Sequence, residues 1–432
     1  MNFKKILLII LVFLLIPVTY STAITDESNE KMKVTIAQPN KRESKILLTN
    51  RPHVSEMSDV VPYFVVKDKK SKFMIALGGY IKPIFGWDIG NVIDDIGFIP
   101  SKIPIPAQPG QKSDYFANPL HSALDFHIIG LPRSKNQIGG YIQMMYNSPK
   151  AGVQVHHVYV TYRGLLLGKT SSLFVDEEAT PHTIDPQGPN GAISGHSNRL
   201  SYETKPGKPF RAGIAIELPS FDQYGGAYEG PDYPDLDGEQ YYAEASQPVP
   251  DIPLYAEYQW KQQARIRLSG VIRNFFYRDL RQAKTRSTLG WGIQLSGNIR
   301  PCAPLQFYYG GAYGAGIGHY IQDLSDLPLS YLPENRQPGK MQATPMMGWF
   351  AGFDYQFARR IVLGFTYSHA RIWESSLYYP DYKYGQYIAA NLMWPIRKYF
   401  TCGIEWLWGR KMDYAGKSSH INRIQGAVKF SF

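Results

Sequence analysis

From Phe73 to Phe432 the chain alternates between apolar and small or polar side chains, and no helical segment interrupts the pattern. In a strand, successive side chains point to opposite faces, so a period of two describes sheets with one greasy face and one wet face. Ile424, Val428, Phe430 and Phe432 share one parity, and Arg423, Gln425, Lys429 and Ser431 share the other. Phe210, Ala212, Ile214, Ile216 and Leu218 alternate with Arg211, Gly213, Ala215 and Glu217. Phe400, Cys402, Ile404, Trp406 and Trp408 alternate with Thr401, Gly403 and Glu405. One such strand fits a soluble sandwich as well as a barrel. Many in a row, with no helix to cover the greasy face, need an apolar solvent.

Two further features favour a membrane barrel. Aromatics gather near strand ends, as in Phe400, Trp406 and Trp408 or Tyr379, Tyr382 and Tyr384, which fits interfacial girdles. The chain also finishes on Phe432 at the end of a strand, like the C-terminal aromatic signal of outer-membrane barrels. In lipid an open sheet edge would leave a row of unpaired backbone groups, so the sheet must close. A secreted sandwich or propeller is the alternative, and no fixed blade period supports the propeller. The expected class is all-β: a transmembrane antiparallel β-barrel of about 16 strands, enclosing an aqueous lumen. Expected strands include 73–86, 119–130, 263–276 and 288–299. The connections between strands alternate long and short. The long set includes 87–118, 171–196, 219–252, 316–345 and 371–384, and the short set includes Arg163-Gly164 and Lys261-Gln262. Long extracellular loops opposite short periplasmic turns are the asymmetry of such barrels.

Composition agrees. Aromatics at 14% and charged residues at 19% exclude intrinsic disorder. A helical membrane protein is excluded because the one long apolar run lies at the N-terminus. Two cysteines, Cys302 and Cys402, exclude a disulfide scaffold and a multi-cysteine metal site.

Residues 1–23 read as a signal peptide: Lys4 and Lys5 precede the apolar run Ile6 to Val18, and Ser21-Thr22-Ala23 supplies small residues for cleavage. A membrane anchor is the alternative, for which the run is short. Residues 24–72 are polar, mixed in charge and carry Pro39, Pro52 and Pro62, so a flexible periplasmic segment is expected before the barrel at 73–432.

The wet face is rich in arginine. Arg265, Arg267 and Arg273 share one parity of one strand, and Arg199 and Arg211 lie on earlier strands. Such a basic ladder along the pore wall would concentrate anions, and each guanidinium offers a fork for carboxylate or phosphate. The alternative is that these charges only solvate the lumen and pair with loop carboxylates. Lys82, His157, Lys169 and Arg360 are further inward candidates. The third long loop, Ser171 to His196, carries Asp176, Glu177, Glu178, His182 and Asp185. Folded into the lumen, these residues would form a pore constriction opposite the arginines, with a transverse field across it. An ordinary solvated surface loop is the alternative.

The stretch Leu165-Leu166-Leu167-Gly168-Lys169-Thr170-Ser171-Ser172-Leu173-Phe174-Val175-Asp176, with Thr183-Ile184-Asp185 and Gly188-Pro189-Asn190-Gly191, resembles the DcaP-like trimeric porin family of the Gram-negative outer membrane. So does Gly79-Tyr80-Ile81-Lys82. The likeness covers the barrel and is sharp only in these stretches. It implies a sixteen-stranded homotrimer with a constricting third loop and a preference for small anionic solutes such as dicarboxylates. Lys169 and Ser171 stand where the family has Gln and Trp.

Other motifs are weaker. Asp235, Asp237, Gly238 and Glu244 have calcium-loop spacings, but Tyr233 takes the first ligand position. Arg278, Arg281, Lys284 and Arg286 could meet lipopolysaccharide phosphates, or merely be exposed. His156-His157 is too local for a metal site if alternation sends the rings to opposite faces. No metal, cofactor or nucleic acid is expected, and no nucleophile elbow, phosphate loop or zinc-protease helix points to an enzyme. The expected function is passive diffusion of small hydrophilic, preferably anionic, solutes through an outer-membrane porin. Alternatives are a substrate-specific transporter, or a non-transport barrel that is an outer-membrane enzyme or adhesin.

Overall fold

The computed structural model describes residues 35–37, 39, 41–49 and 63–67 and, from residue 72 onward, all but 94–96, 120, 133, 149–151, 205–208, 220–240, 262, 335–338, 359, 374–378 and 398. The expected signal peptide, residues 1–23, and the calcium-like stretch through Gly238 lie outside the described residues.

Sixteen antiparallel strands close into a barrel. They are β1 (Phe73–Ile81, continued by Ile84–Ile89), β2 (Ser113–Asn118, continued by Ala123–Gly130), β3 (Ile138–Ser148), β4 (Gly152–Tyr162), β5 (Leu165–Ser171), β6 (His196–Glu203), β7 (Phe210–Pro219) and β8 (Ile252–Trp260). β9 (Ala264–Asp279), β10 (Lys284–Cys302), β11 (Leu305–Ala315), β12 (Pro345–Ala358), β13 (Ile361–Ile372), β14 (Tyr384–Arg397), β15 (Phe400–Met412) and β16 (Ser418–Ser431) complete the wall. Closure pairs Asn422 to Ala427 of β16 with Ile89 to Ile84 of β1, and Phe430 with Ile81. The wall therefore has the antiparallel meander that the loop alternation implies.

The burial pattern inverts that of a soluble protein. Val153, Val160, Leu167, Ile214, Ile216, Leu218 and Leu289 are each more than half exposed on the outer face. The buried parity carries Glu217, Glu257, Arg265, Arg273, Glu405, Arg423 and Gln425 instead. Exposed apolar side chains over a buried polar face fit a wall between acyl chains and a polar lumen. Among the described residues no helix is long and apolar enough to cross a membrane.

Three expectations are revised. Part of the segment 24–72 has secondary structure: Thr35–Ala37 pairs with Tyr63–Lys67, which pairs with the start of β1, and a helix spans Lys41–Thr49. Its Leu47 packs with Val65 against Met74, Ala76 and Ile129, on the inward parity of β1 and β2. Lys169 is not an inward residue: it pairs with Val158 and Asn198, both exposed, on the outward side of the wall. Arg360 lies in a turn, where it donates to the Ile396 carbonyl at 2.5 Å.

Candidate functional site

Loop 3 (172–195) leaves the wall between β5 and β6 and crosses the lumen. Near its start, Asp176 is buried against β9 and β10: Arg265 Nη2 donates to both its oxygens at 2.7 and 2.8 Å, and Ser296 Oγ donates at 2.5 Å. Midway, His182 Nδ1 lies 2.5 Å from Asp354 of β12, with the Tyr308 hydroxyl 3.1 Å from the same carboxylate. Farther on, Glu405 of β15 accepts from the backbone N–H groups of Ile184 and Asp185 at 3.0 and 2.7 Å. Ser368 of β13 accepts from the Gly191 N–H at 2.8 Å. At Gly191 an added Cβ would fall 2.3 Å from the His369 carbonyl oxygen, so only glycine lets the loop lie this close to the wall. Loop 3 is thus held on opposite walls by polar groups of the inward face.

The five loop residues divide by role. Glu177, Glu178 and His182 remain partly exposed. Asp176 and Asp185 are buried anchors. Asp185 Oδ1 accepts from the Phe98 N–H at 3.0 Å and Oδ2 accepts from the Tyr387 hydroxyl at 3.0 Å. Burial, with Glu405 beside it, pushes the Asp185 carboxyl up to about 7. Burial likewise raises Glu177 to about 7. Burial alone would raise Asp176 too, but Arg265 and Arg267 outweigh it and hold that carboxyl below its usual value.

The arginines all face inward, yet most are neutralised. Arg265 reaches Asp176, Glu257 at 2.9 Å and Glu178 at 3.4 Å. Arg211 binds Glu257 and reaches Glu178 at 3.4 Å. Arg199 pairs with Glu203 at 3.1 Å, and Arg273 with Asp251 at 2.8 Å. Among the described residues, Arg267 alone of the five has no carboxylate within 4.0 Å. It donates to the Leu173 carbonyl at 2.6 Å, and its guanidinium lies 3.8 Å from the Tyr255 ring centroid. The ladder is therefore an ion-pair lattice with one guanidinium left unpaired by acids, rather than a uniform cationic stripe.

The loop anchors Glu405 and Asp354, and Asp251, the partner of Arg273, were missed as site residues. Glu405 did carry a signal, as the single charge within Phe400 to Trp408. Its loop partners Ile184 and Asp185 sit more than two hundred residues away, beyond the reach of any local pattern.

A strand barrel traversed by an inward third loop can be compared with solved structures. The outer-membrane channel DcaP of Acinetobacter baumannii superposes with a TM-score of 0.69 at 17% identity, covering 85% of this chain and 99% of that one. The chain has the fold of the outer-membrane porins. An anion-selective porin from Comamonas acidovorans matches at TM-score 0.51 and 10% identity, over 83% of this chain and all of that one. OmpF of Salmonella typhi, in complex with daunomycin, matches at 0.52 and 9%, over 84% and 98%. No protein-family model matches the chain, and no curated protein matches it. The exposed apolar face of β1 to β16 fits contact with lipid, as in a membrane barrel.

Proposed function

We propose that the chain is a porin, a non-enzymatic channel for passive diffusion of small hydrophilic solutes, with a preference for anions such as dicarboxylates. The observation that carries this reading is loop 3 spanning a polar-lined barrel while Glu178 (27% of its side chain exposed), His182 (28%) and Arg211 (17%) stay accessible. Charges kept partly wet beside a loop inside a closed barrel suit sorting of solutes by charge. The anion preference rests on Arg267, and on Glu177, whose carboxyl at about 7 is part neutral near neutral pH. The homotrimer and contact with lipopolysaccharide belong to the same proposal. At the outer hairpin Arg286 is partly occupied by Asp279 at 2.8 Å.

The test is a planar bilayer with a KCl gradient. Stepwise steady current with an anion-favouring reversal potential is expected. Arg267→Glu should move that potential towards cations. No steady current, or a wild-type potential that favours cations, overturns the reading.

A further inference from the structure

The alternation of β4 fails at His156, at one of two slips in the β3–β4 ladder. His157 pairs with Gln143 and Val155 with Met144, so His156 is an inserted residue without its own partner across the ladder. A β-bulge of this kind places two residues against one and re-aims their side chains. The expectation that His156 and His157 point apart is therefore wrong. Their ring centroids are 4.6 Å apart, at 88°. His196, which opens β6, brings a third ring to 4.1 Å from His156 and 5.0 Å from His157.

We propose that His156, His157 and His196 form a binding site for a divalent transition-metal ion of the zinc, nickel or copper type, at the root of loop 3. One ring nitrogen from each residue lies within 4.8 Å of the other two. Imidazole ligands on a tetrahedral zinc, with bonds of about 2 Å, sit about 3.3 Å apart. Small ring rotations would draw the three into a coordination sphere with a fourth position open. His157 Nδ1 lies 3.0 Å from Thr170 Oγ1, so a hydrogen bond orients the ring and leaves the other nitrogen to the metal.

The surroundings select the ion. No carboxylate belongs to the trio, while Lys169, Arg199 and His319 stand close by. Calcium and magnesium want oxygen ligands and gain nothing here. Imidazole nitrogens suit zinc, copper and nickel, whose bonds can outweigh a positive neighbourhood. The location gives the site a consequence. His196 pairs with Ser171, and these two residues flank loop 3. An ion shared by β4 and His196 would fasten the base of that loop to the wall.

The test uses the full chain without an affinity tag, folded in detergent and stripped with a chelator. Calorimetric titration with Zn²⁺ should give one ion per chain. His156→Ala, His157→Ala and His196→Ala should each weaken binding by about tenfold or more. His420→Ala, at an exposed residue of β16, should leave it unchanged. The altered migration of a folded barrel on unheated gels checks each variant, and glutamine replacements serve where alanine disturbs folding. On the wild type, Co²⁺ should develop the visible absorption bands of a nitrogen-ligated tetrahedral site. Failure to saturate at one ion per chain, or equal binding by the triple variant, overturns the proposal. Neither result bears on conductance, which the bilayer reads separately.

Discussion

Two stretches of the wall treat the same rule differently. Between β9 and β10 the ladder runs from Ala264–Ile299 to Asp279–Lys284 without a shift. Between β3 and β4 it slips twice, at Gln143/Met144 and again at Tyr146/Ser148. In the regular ladder, parity places Arg265, Arg267, Ser269 and Arg273 on one side, as the alternation implies. In the slipped ladder, neighbours in sequence become neighbours in space, and two imidazoles meet. Side-chain direction is thus set by the register of the ladder, and the sequence pattern reports it only where the register holds.

The comparison breaks most visibly on the regular side. Arg265→Ala would leave Asp176 buried without its cation and Glu257 with Arg211 alone, a loss of about 3–5 kcal/mol. We expect a lower melting temperature for the folded barrel. A shift no larger than that of an exposed-site control would mean that the lattice there carries little weight.

The next effect comes from pH. Asp185 and Glu177 have folded-state values near 7, above their unfolded values. Their contribution is fully present below about pH 4 and is lost as pH rises through 7. Loop 3 should therefore loosen in mild alkali. Hydrogen exchange at residues 184–187, corrected for intrinsic rates, should speed up between pH 5 and pH 8.5. Constant or rising protection would contradict this.

The smallest effect belongs to the slipped side. Deleting His156 should remove the slip at Gln143/Met144, because His157 and Val155 already face adjacent residues of β3, and leave the slip at Tyr146/Ser148 in place. In chelator the deletion variant should melt close to the wild type, and well above Arg265→Ala. A collapse of the barrel would mean that the bulge shapes the wall and does not merely re-aim a ring.

How far the sequence is legible follows the same division. Sixteen strands and the inward third loop are visible in it because lipid on one face and polar groups on the other enforce alternation. The hairpin of β9 and β10 reaches Asp279 and Lys284, beyond the expected ends at 276 and 288, because the charges at Arg278, Asp279, Arg281, Lys284 and Arg286 interrupt the apolar–polar pattern in the sequence although Tyr277 and Asp279 are still buried. Ser113–Asn118 reads as loop, yet it pairs with Ile84–Ile89 beyond the interruption at Lys82-Pro83. Proline has no N–H for the ladder, so the strand breaks and resumes. Asp176 and the arginines were visible as charges. Their pairing stood as the alternative, and nothing local could choose it or name the partners, since it joins residues as far apart as Asp176 and Arg265.

The strand Tyr63–Lys67 has a consequence of its own. Opposite β16 the backbone of β1 is paired at Tyr80 and Ile81, and the Gly79 N–H is taken by the Phe432 carbonyl at 3.0 Å. Below that point β1 overhangs the end of the chain, and Met74 to Gly78 find their hydrogen bonds in Lys67 to Tyr63. A bare overhang would be a template for foreign strands. The N-terminal segment acts as a selvedge, finishing a hem of the cloth that the cylinder's own seam does not sew.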